Sequence, residues 1–297
     1  MTQQETHDQE SSEPRLYKVL LMVLPVGVVV GTVVFMFMYF YLEDKEEQKR
    51  AVIASHAARS GDLEDMVLKF VERIGERDGE TEQGRIGLRS AASMIEGRLG
   101  PQNVGYRVSK CEGVAAHGLL WKSLSVEIRG EKNPDEVVFA AVCFAGPGED
   151  ADANTVSTLM MLASAMALEK PARTIRFVFL PMALSAAEQN RWLVSRCLNS
   201  NESCVAIIGL HTMMSSPEAG QSAWQISPDR PESEEWWEAL SMGQDARNPP
   251  RNEPAPSVWL SHPVFSSQTW QGKLNQRLQY TMEVIQEIRR WLLIVAG

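Results

Sequence analysis

The strongest pattern along the chain is an unbroken apolar run from Val19 to Leu42, 24 residues without a charge. As a helix such a run spans about 36 Å, longer than the roughly 30 Å hydrocarbon core of a bilayer. Tyr17 and Lys18 stand at one end and Tyr39 and Tyr41 at the other, where interfacial anchors belong, and Pro25 and Gly27 are tolerated in lipid. A core helix of that length would carry a polar face. A cleaved signal peptide would have a shorter apolar run and a small-residue site before the acidic Glu43-Asp44-Lys45-Glu46-Glu47. The pattern therefore predicts residues 1–18 as a polar, disordered tail, 19–42 as a transmembrane helix, 43–60 as a charged stalk and 61–297 as one globular domain. Arg15 and Lys18 on the short side nearly balance Lys45, Lys49 and Arg50 on the other. We take the amino end as inside, which makes the protein single-pass with an extracytoplasmic C-terminal domain.

Within the domain the periodicity alternates between two kinds. Leu63, Met66, Val67, Phe70, Val71 and Ile74 recur at helical spacing, with Ser60 or Asp62 available as cap. A second helix is expected over Gln83–Leu99 with Ile86, Ala91, Ile95 and Leu99 inward, ended by Gly100-Pro101. Strand-like runs follow at Tyr106–Ser109, Ser123–Ile128 and Glu136–Phe144, the last continuous enough to be covered on both faces. Then come a helix over Asn154–Leu168 with Asn154 as its cap, a strand over Thr174–Leu180, a helix over Ala186–Leu198 and a strand over Val205–Leu210. Ser215–Pro256 reads as an irregular insertion carrying Trp236-Trp237, of the sort that borders a site face. Leu274–Val295 closes the chain as a helix that Glu283, Glu287, Arg289 and Arg290 make unsuited to lipid. The alternation predicts an α/β fold with a mostly parallel mixed sheet and helices on both faces.

Composition narrows the function. A net charge of -9 with no basic block argues against nucleic acid as a partner, since phosphates need a positive surface. The four cysteines, Cys111, Cys143, Cys197 and Cys204, have no metal-finger spacing. In an oxidising compartment Cys197 and Cys204 are placed to close a small loop; otherwise all four are reduced, buried thiols. No Gly-x-Ser-x-Gly, phosphate loop or Cys-x-x-Cys is present.

Several strings resemble the M28 family of zinc aminopeptidases over about residues 63–295. Leu68-Lys69-Phe70-Val71-Glu72-Arg73-Ile74-Gly75-Glu76-Arg77, with Val104-Gly105-Tyr106-Arg107-Val108 after a helix, looks like that family's entry segment. Ser125-Val126-Glu127-Ile128-Arg129-Gly130 and Pro134-Asp135-Glu136-Val137-Val138 are similar to the strand and turn before its first metal ligand, and Arg173-Thr174-Ile175-Arg176-Phe177-Val178-Phe179 to the strand before its catalytic glutamate. The resemblance implies a zinc-aminopeptidase-like fold and a two-zinc site. That site has two histidines, two aspartates (one bridging the ions) and a glutamate as ligands, with a neighbouring glutamate as general base.

Position by position the ligands are largely gone. Cys143, in Val142-Cys143-Phe144-Ala145, falls at the first histidine. Ala153, in Ala151-Asp152-Ala153-Asn154, falls at the bridging aspartate. Glu188-Gln189 matches the glutamate pair, keeping Glu188 as a vestigial base position and putting an amide at the ligand. His211 follows Val205–Leu210 at the next aspartate, and His262 matches the last histidine.

Three readings remain open on the sequence. The first is a membrane-anchored, catalytically inactive relative acting in binding or assembly, with no cofactor, in which the old substrate cleft holds a peptide or protein and Trp236 and Trp237 either anchor it or pack on the sheet rim. The second is a hydrolase with a rebuilt single-zinc site of Cys143, His211 and His262. The third is a conventional peptidase: Asp150, Asp152 and Glu149 lie close to the bridging position, so that a one-residue shift restores an aspartate there, although no histidine lies between His117 and His211 to restore the first ligand.

Overall fold

A computed structural model of the 297-residue chain describes residue 24 and residues 27–41, 60–114, 120–148, 150–182, 185–213, 225–228, 231–242, 255–263 and 270–297. Two compact units are separated near residue 50. In the first, residues 27–41 form a helix, α1, whose large apolar side chains are exposed, Phe37 by 77%. Among the described residues no helix is long and apolar enough to cross a membrane. The rest of the expected span, residues 19–23, 25, 26 and 42, lies outside the described residues, as do the tail and most of the stalk.

The second unit is built on a seven-stranded sheet. Its strands are β1 (Ser109–Val114), β2 (Leu120–Ile128), β3 (Asn133–Cys143), β4 (Arg173–Leu180), β5 (Ser203–Met213), β6 (Gln225–Pro228) and β7 (Ser257–Pro263), in the spatial order β1-β2-β4-β3-β5-β7-β6. The four central strands β4, β3, β5 and β7 are parallel, and β2, β1 and β6 extend the sheet antiparallel at its edges. Central parallel strands are covered twice and need apolar residues on both faces. Accordingly, β3 is buried continuously from Val137 to Val142, and β4 from Thr174 to Leu180.

The helices are α2 (Ser60–Leu68), α3 (Glu82–Leu99), α4 (Asp150–Met166), α5 (Ala186–Arg196), α6 (Pro231–Ser241) and α7 (Trp270–Ala296). The last turns after α2, Lys69–Ile74, widen into a π-helix that closes with the Gly75 amide donating to the Phe70 carbonyl at 2.9 Å. Gly75 then turns the chain at φ +67°, a left-handed conformation that glycine adopts without strain. Thr81 caps α3 by accepting from the Gly84 amide at 2.8 Å. One layer, with α2, α3, α4 and α7, packs on the sheet face to which β3 turns Val138, Ala140 and Val142; α5 lies over the opposite face with Val137, Phe139 and Ala141. Helix α4 is buried nearly all round because it is enclosed by the sheet, α2, α3 and α7.

Several expectations need correction. Helix α4 starts at Asp150, so Asn154 is inside it, buried, and donates from Nδ2 to Thr281 Oγ1 of α7 at 3.3 Å. Ile86 is 46% exposed because Gly84, Gly87 and Leu88 take the inward face at that turn of α3. The strand expected at Tyr106–Ser109 begins only at Ser109; Tyr106 is buried and donates its hydroxyl to the Ala163 carbonyl at 2.8 Å. The segment Ser215–Pro256 contains β6 and α6. Trp236 and Trp237 are buried in α6, Trp237 edge-on to Trp291 of α7 at 4.4 Å between ring centroids, so packing outweighs the anchor role for both. Strand β7, which carries His262, is an element the periodicity did not indicate.

Candidate functional site

In an open α/β sheet the crevice beyond the carboxyl ends of the strands opens where successive connections leave in opposite directions. Here β3 connects through α4 to β4 on one side, and β4 connects through α5 back past β3 to β5 on the other. The crevice therefore lies at the ends of β3 and β5. Cys143 ends β3, and His211 stands one residue beyond Leu210, the position paired with Val142. The two thus occupy neighbouring strand ends on the α5 face. Both are half-buried; Cys143 packs in the α5-side cluster, and the His211 ring meets Trp259 edge-on at 6.4 Å. His262 lies on the adjacent strand β7, paired in register with Thr212 rather than His211; its side chain is outside the described residues.

The other half of the crevice, on the α4 side, is organised by Arg77. This side chain is completely buried and immediately follows the π-helical turn and Gly75. Its Nε donates to the Phe144 carbonyl at 2.9 Å, its Nη1 to the carbonyls of Gly75 at 2.7 Å and Phe70 at 3.3 Å, and its Nη2 to the Asp152 carboxylate. The backbones of Arg77 and Gly146 exchange two hydrogen bonds of 2.8 Å. Asp152 Oδ1 also accepts from the Ala153 amide at 2.9 Å. Burial pushes the Asp152 carboxyl up and the Arg77 guanidinium down, and the ion pair holds each back toward its charged form. The connecting loop has no room for side chains at two points. A Cβ on Gly146 would collide with the Asp152 carboxylate, and one on Gly148, at φ +87°, would lie 2.5 Å from the Gly75 carbonyl carbon.

Ala153 is fully buried beside this pair, in the cluster on the α4 face. Glu188 is exposed in the first turn of α5, where it forms a capping box with Ser185: its Oε2 accepts from the Ser185 amide at 2.9 Å and hydroxyl at 2.7 Å. Those hydrogen bonds hold its carboxyl below the ordinary glutamate value. Gln189, the next residue, is buried.

No family model and no curated protein matches the sequence. Among solved structures, a zinc aminopeptidase from Bacillus subtilis superposes with a TM-score of 0.53 at 8% identity, over 80% of this chain and 95% of that one. A glutaminyl cyclase from Porphyromonas gingivalis gives 0.49 at 14% identity over 79% and 97%, and a zinc-dependent exopeptidase from Parabacteroides distasonis 0.48 at 14% over 80% and 98%. The fold is zinc-aminopeptidase-like. At these identities the likeness concerns the fold alone, and the site must be judged on this chain's own residues.

Among the described residues, the side chains at the crevice do not fit a pair of zinc ions. A two-metal centre needs a carboxylate shared between the ions; the position that the resemblance in sequence gives to it is Ala153, a fully buried methyl. The adjacent carboxylate, Asp152, is committed to a guanidinium whose fixed charge opposes a dication alongside it. Among the described residues no group of three or more His, Cys, Asp or Glu side chains is arranged to hold a metal ion. Sequence reading passed over Arg77, Gly146 and Gly148, which shape the α4 side of the crevice. The available signal was the clustering of glycines in Gly75-Glu76-Arg77 and Gly146-Pro147-Gly148 around a single arginine.

Proposed function

We propose that this protein is a membrane-anchored, aminopeptidase-like scaffold that has lost hydrolysis and acts by binding a peptide or protein segment at the crevice beyond β3 and β5. The observation that carries the reading is the Arg77–Asp152 ion pair beside the buried Ala153. A buried arginine supplies the positive charge that neutralises the local carboxylate. Glu188 is likewise engaged as a helix cap rather than aimed at a reacting water. The anchor rests on the 24-residue uncharged run and on the exposed apolar side chains of α1, with the globular domain on the extracytoplasmic side.

The test is turnover of aminoacyl-p-nitroanilides by the full chain in detergent, with and without added zinc. The proposal expects no release above that of an Arg77→Ala, Asp152→Ala control; zinc-dependent release abolished by Glu188→Gln would contradict it. Resistance of the chain to alkaline extraction from membranes, with the globular domain open to protease from the extracytoplasmic side only, tests the anchor and its orientation.

A second reading is a single-zinc hydrolase using Cys143, His211 and His262. It is favoured by one observation: the three residues sit at the carboxyl ends of the adjacent strands β3, β5 and β7. A thiolate and two imidazoles form a sound zinc set. Under this reading one equivalent of zinc binds and is lost on His262→Ala.

A further inference from the structure

A groove of about 440 Å³ lies between α3 and the β1–β2 edge of the sheet, on the face opposite α5. Its floor is apolar: Leu88, Leu124 and Phe144 are buried members of the α4-side core, and Pro181 completes it. Phe144 and Pro181 directly follow β3 and β4, so the groove adjoins the crevice at the carboxyl ends of those strands. The helical wall carries Arg85, Arg89 and Glu96, and from Arg85 to Glu96 it covers about 16 Å of α3. On the sheet side Lys110 of β1 pairs in register with Leu124 of β2, and Lys122 precedes Leu124 by two positions, so both lysines lie on the face turned to α3. Lys110 reaches across to Glu96 at 2.7 Å and closes that end.

The charge of this groove runs against the rest of the chain. The net charge is -9, yet four of the five charged side chains lining the groove are cationic. Arg85 is shared with Glu82 at 2.8 Å, and Arg89 is exposed and makes no hydrogen bond or ion pair among the described residues. The two arginines are four positions apart on one helical face, where like charges repel, and Arg85 sits close to the amino end of α3, where the helix dipole disfavours a cation. Neither placement serves the helix. An anion held between them relieves both.

We propose that this groove docks an extended acidic peptide segment of a partner protein, its carboxylates against Arg85, Arg89 and Lys122 and an apolar side chain on Leu88, Leu124 and Phe144. The volume falls within the range of sites that enclose a small ligand or a few side chains. A free phosphate or sulfate would leave the apolar floor uncovered, whereas about 16 Å of groove matches roughly five extended residues. Complementary charge sets the choice of partner and makes the contact sensitive to salt. The inference rests on the reading of the domain as a binding scaffold and names the chemistry of what it binds. It uses none of Cys143, Ala153, Glu188, His211 and His262, so the two fail separately.

The experiment is fluorescence anisotropy of a fluorescein-labelled peptide, Glu-Leu-Asp-Leu-Glu, with the full chain in non-ionic detergent at low salt. The expected result is saturable binding that weakens more than about tenfold in Arg89→Glu, in Lys122→Glu, at high salt, and when the acids of the peptide are exchanged for amides. Arg89→Lys should stay within about threefold of the unmutated chain. Arg89 and Lys122 are exposed, so these variants keep the fold, which an unchanged melting temperature checks. Equal binding of the amide peptide, charge-reversed variants that bind as well as the unmutated chain, or no saturable binding at millimolar peptide would each overturn the proposal. So would binding of short-chain phosphatidylglycerol, lost in the same variants, by a chain that ignores the peptide, because the groove would then be a lipid site. Binding followed by cleavage of the peptide would uphold the groove and sink the scaffold reading. No binding by a chain that holds no zinc and shows no turnover would sink the groove and leave the scaffold.

Discussion

Arg77 and Asp152, 75 positions apart in sequence, are joined side chain to side chain at the exit of β3, both withdrawn from solvent. The pair ties the end of the α2 segment, the β3 exit and the first turn of α4 into one unit. Removing one member leaves the other charge buried without its partner, which costs far more than the net worth of the pair.

Arg77→Ala should therefore destabilise the globular domain by about 3–5 kcal/mol. Arg77→Met combined with Asp152→Leu should cost clearly less than the sum of the two single changes, because neither charge is then stranded. Urea unfolding followed by tryptophan fluorescence measures both. Additive losses would mean that the two side chains do not act as a pair.

A carboxylate at the position that the resemblance in sequence gives to the bridge should do harm. Ala153→Asp places a second acid in a fully buried position beside Asp152 and should cost roughly 3 kcal/mol or more. Added zinc should give no recovery of the melting temperature. A zinc-dependent rise would show that the crevice still assembles a metal site, since a ligand that binds only the folded state stabilises it.

At α5 the matched glutamate should behave as a cap. Ser185→Ala should cost about 1 kcal/mol through loss of the N-cap acceptor. Glu188→Gln, whose amide can still reach the Ser185 amide, should be the milder change in the same thermal melts. A larger effect from Glu188→Gln would point to a role beyond the cap.

Acid stability should report on Glu202. Burial raises its carboxyl, but hydrogen bonds from Arg176 and Asn199 outweigh it and hold the value at about 2, below the ordinary 4.5. A carboxylate depressed in the folded state adds stability above its unfolded value and loses it on protonation. The Glu202 contribution should thus be complete above pH 4.5 and fade between there and about pH 2. In Glu202→Gln that part of the pH dependence should be missing from denaturation curves; an unchanged acid limb would contradict the assignment.

The legible parts of this fold were those written in local periodicity. The apolar runs at Glu136–Phe144 and Thr174–Leu180 became the doubly covered strands β3 and β4, and the alternation of strand and helix led to the layered sheet. Residues whose roles depend on distant partners were not legible. Asn154 looks like a cap because such residues favour helix starts, yet it is drawn inside α4 where Thr281 of α7 meets it. The Cys197–Cys204 spacing left a loop closure and reduced thiols equally open, and in the structure both are free thiols, Cys197 buried. At the candidate site the placing of Cys143, Ala153 and Gln189 at ligand positions rests on the resemblance in sequence alone. The ion pair beside Ala153 could not be read in the sequence, because nothing local couples Arg77 to Asp152.

The most direct measurement is the zinc content of the full chain, purified without chelator and dialysed against a slight excess of zinc, by atomic emission. The scaffold account predicts well under one equivalent per chain, unchanged by His262→Ala or Cys143→Ala. Two equivalents would contradict it outright, and one equivalent lost in both variants would replace it with the single-zinc hydrolase.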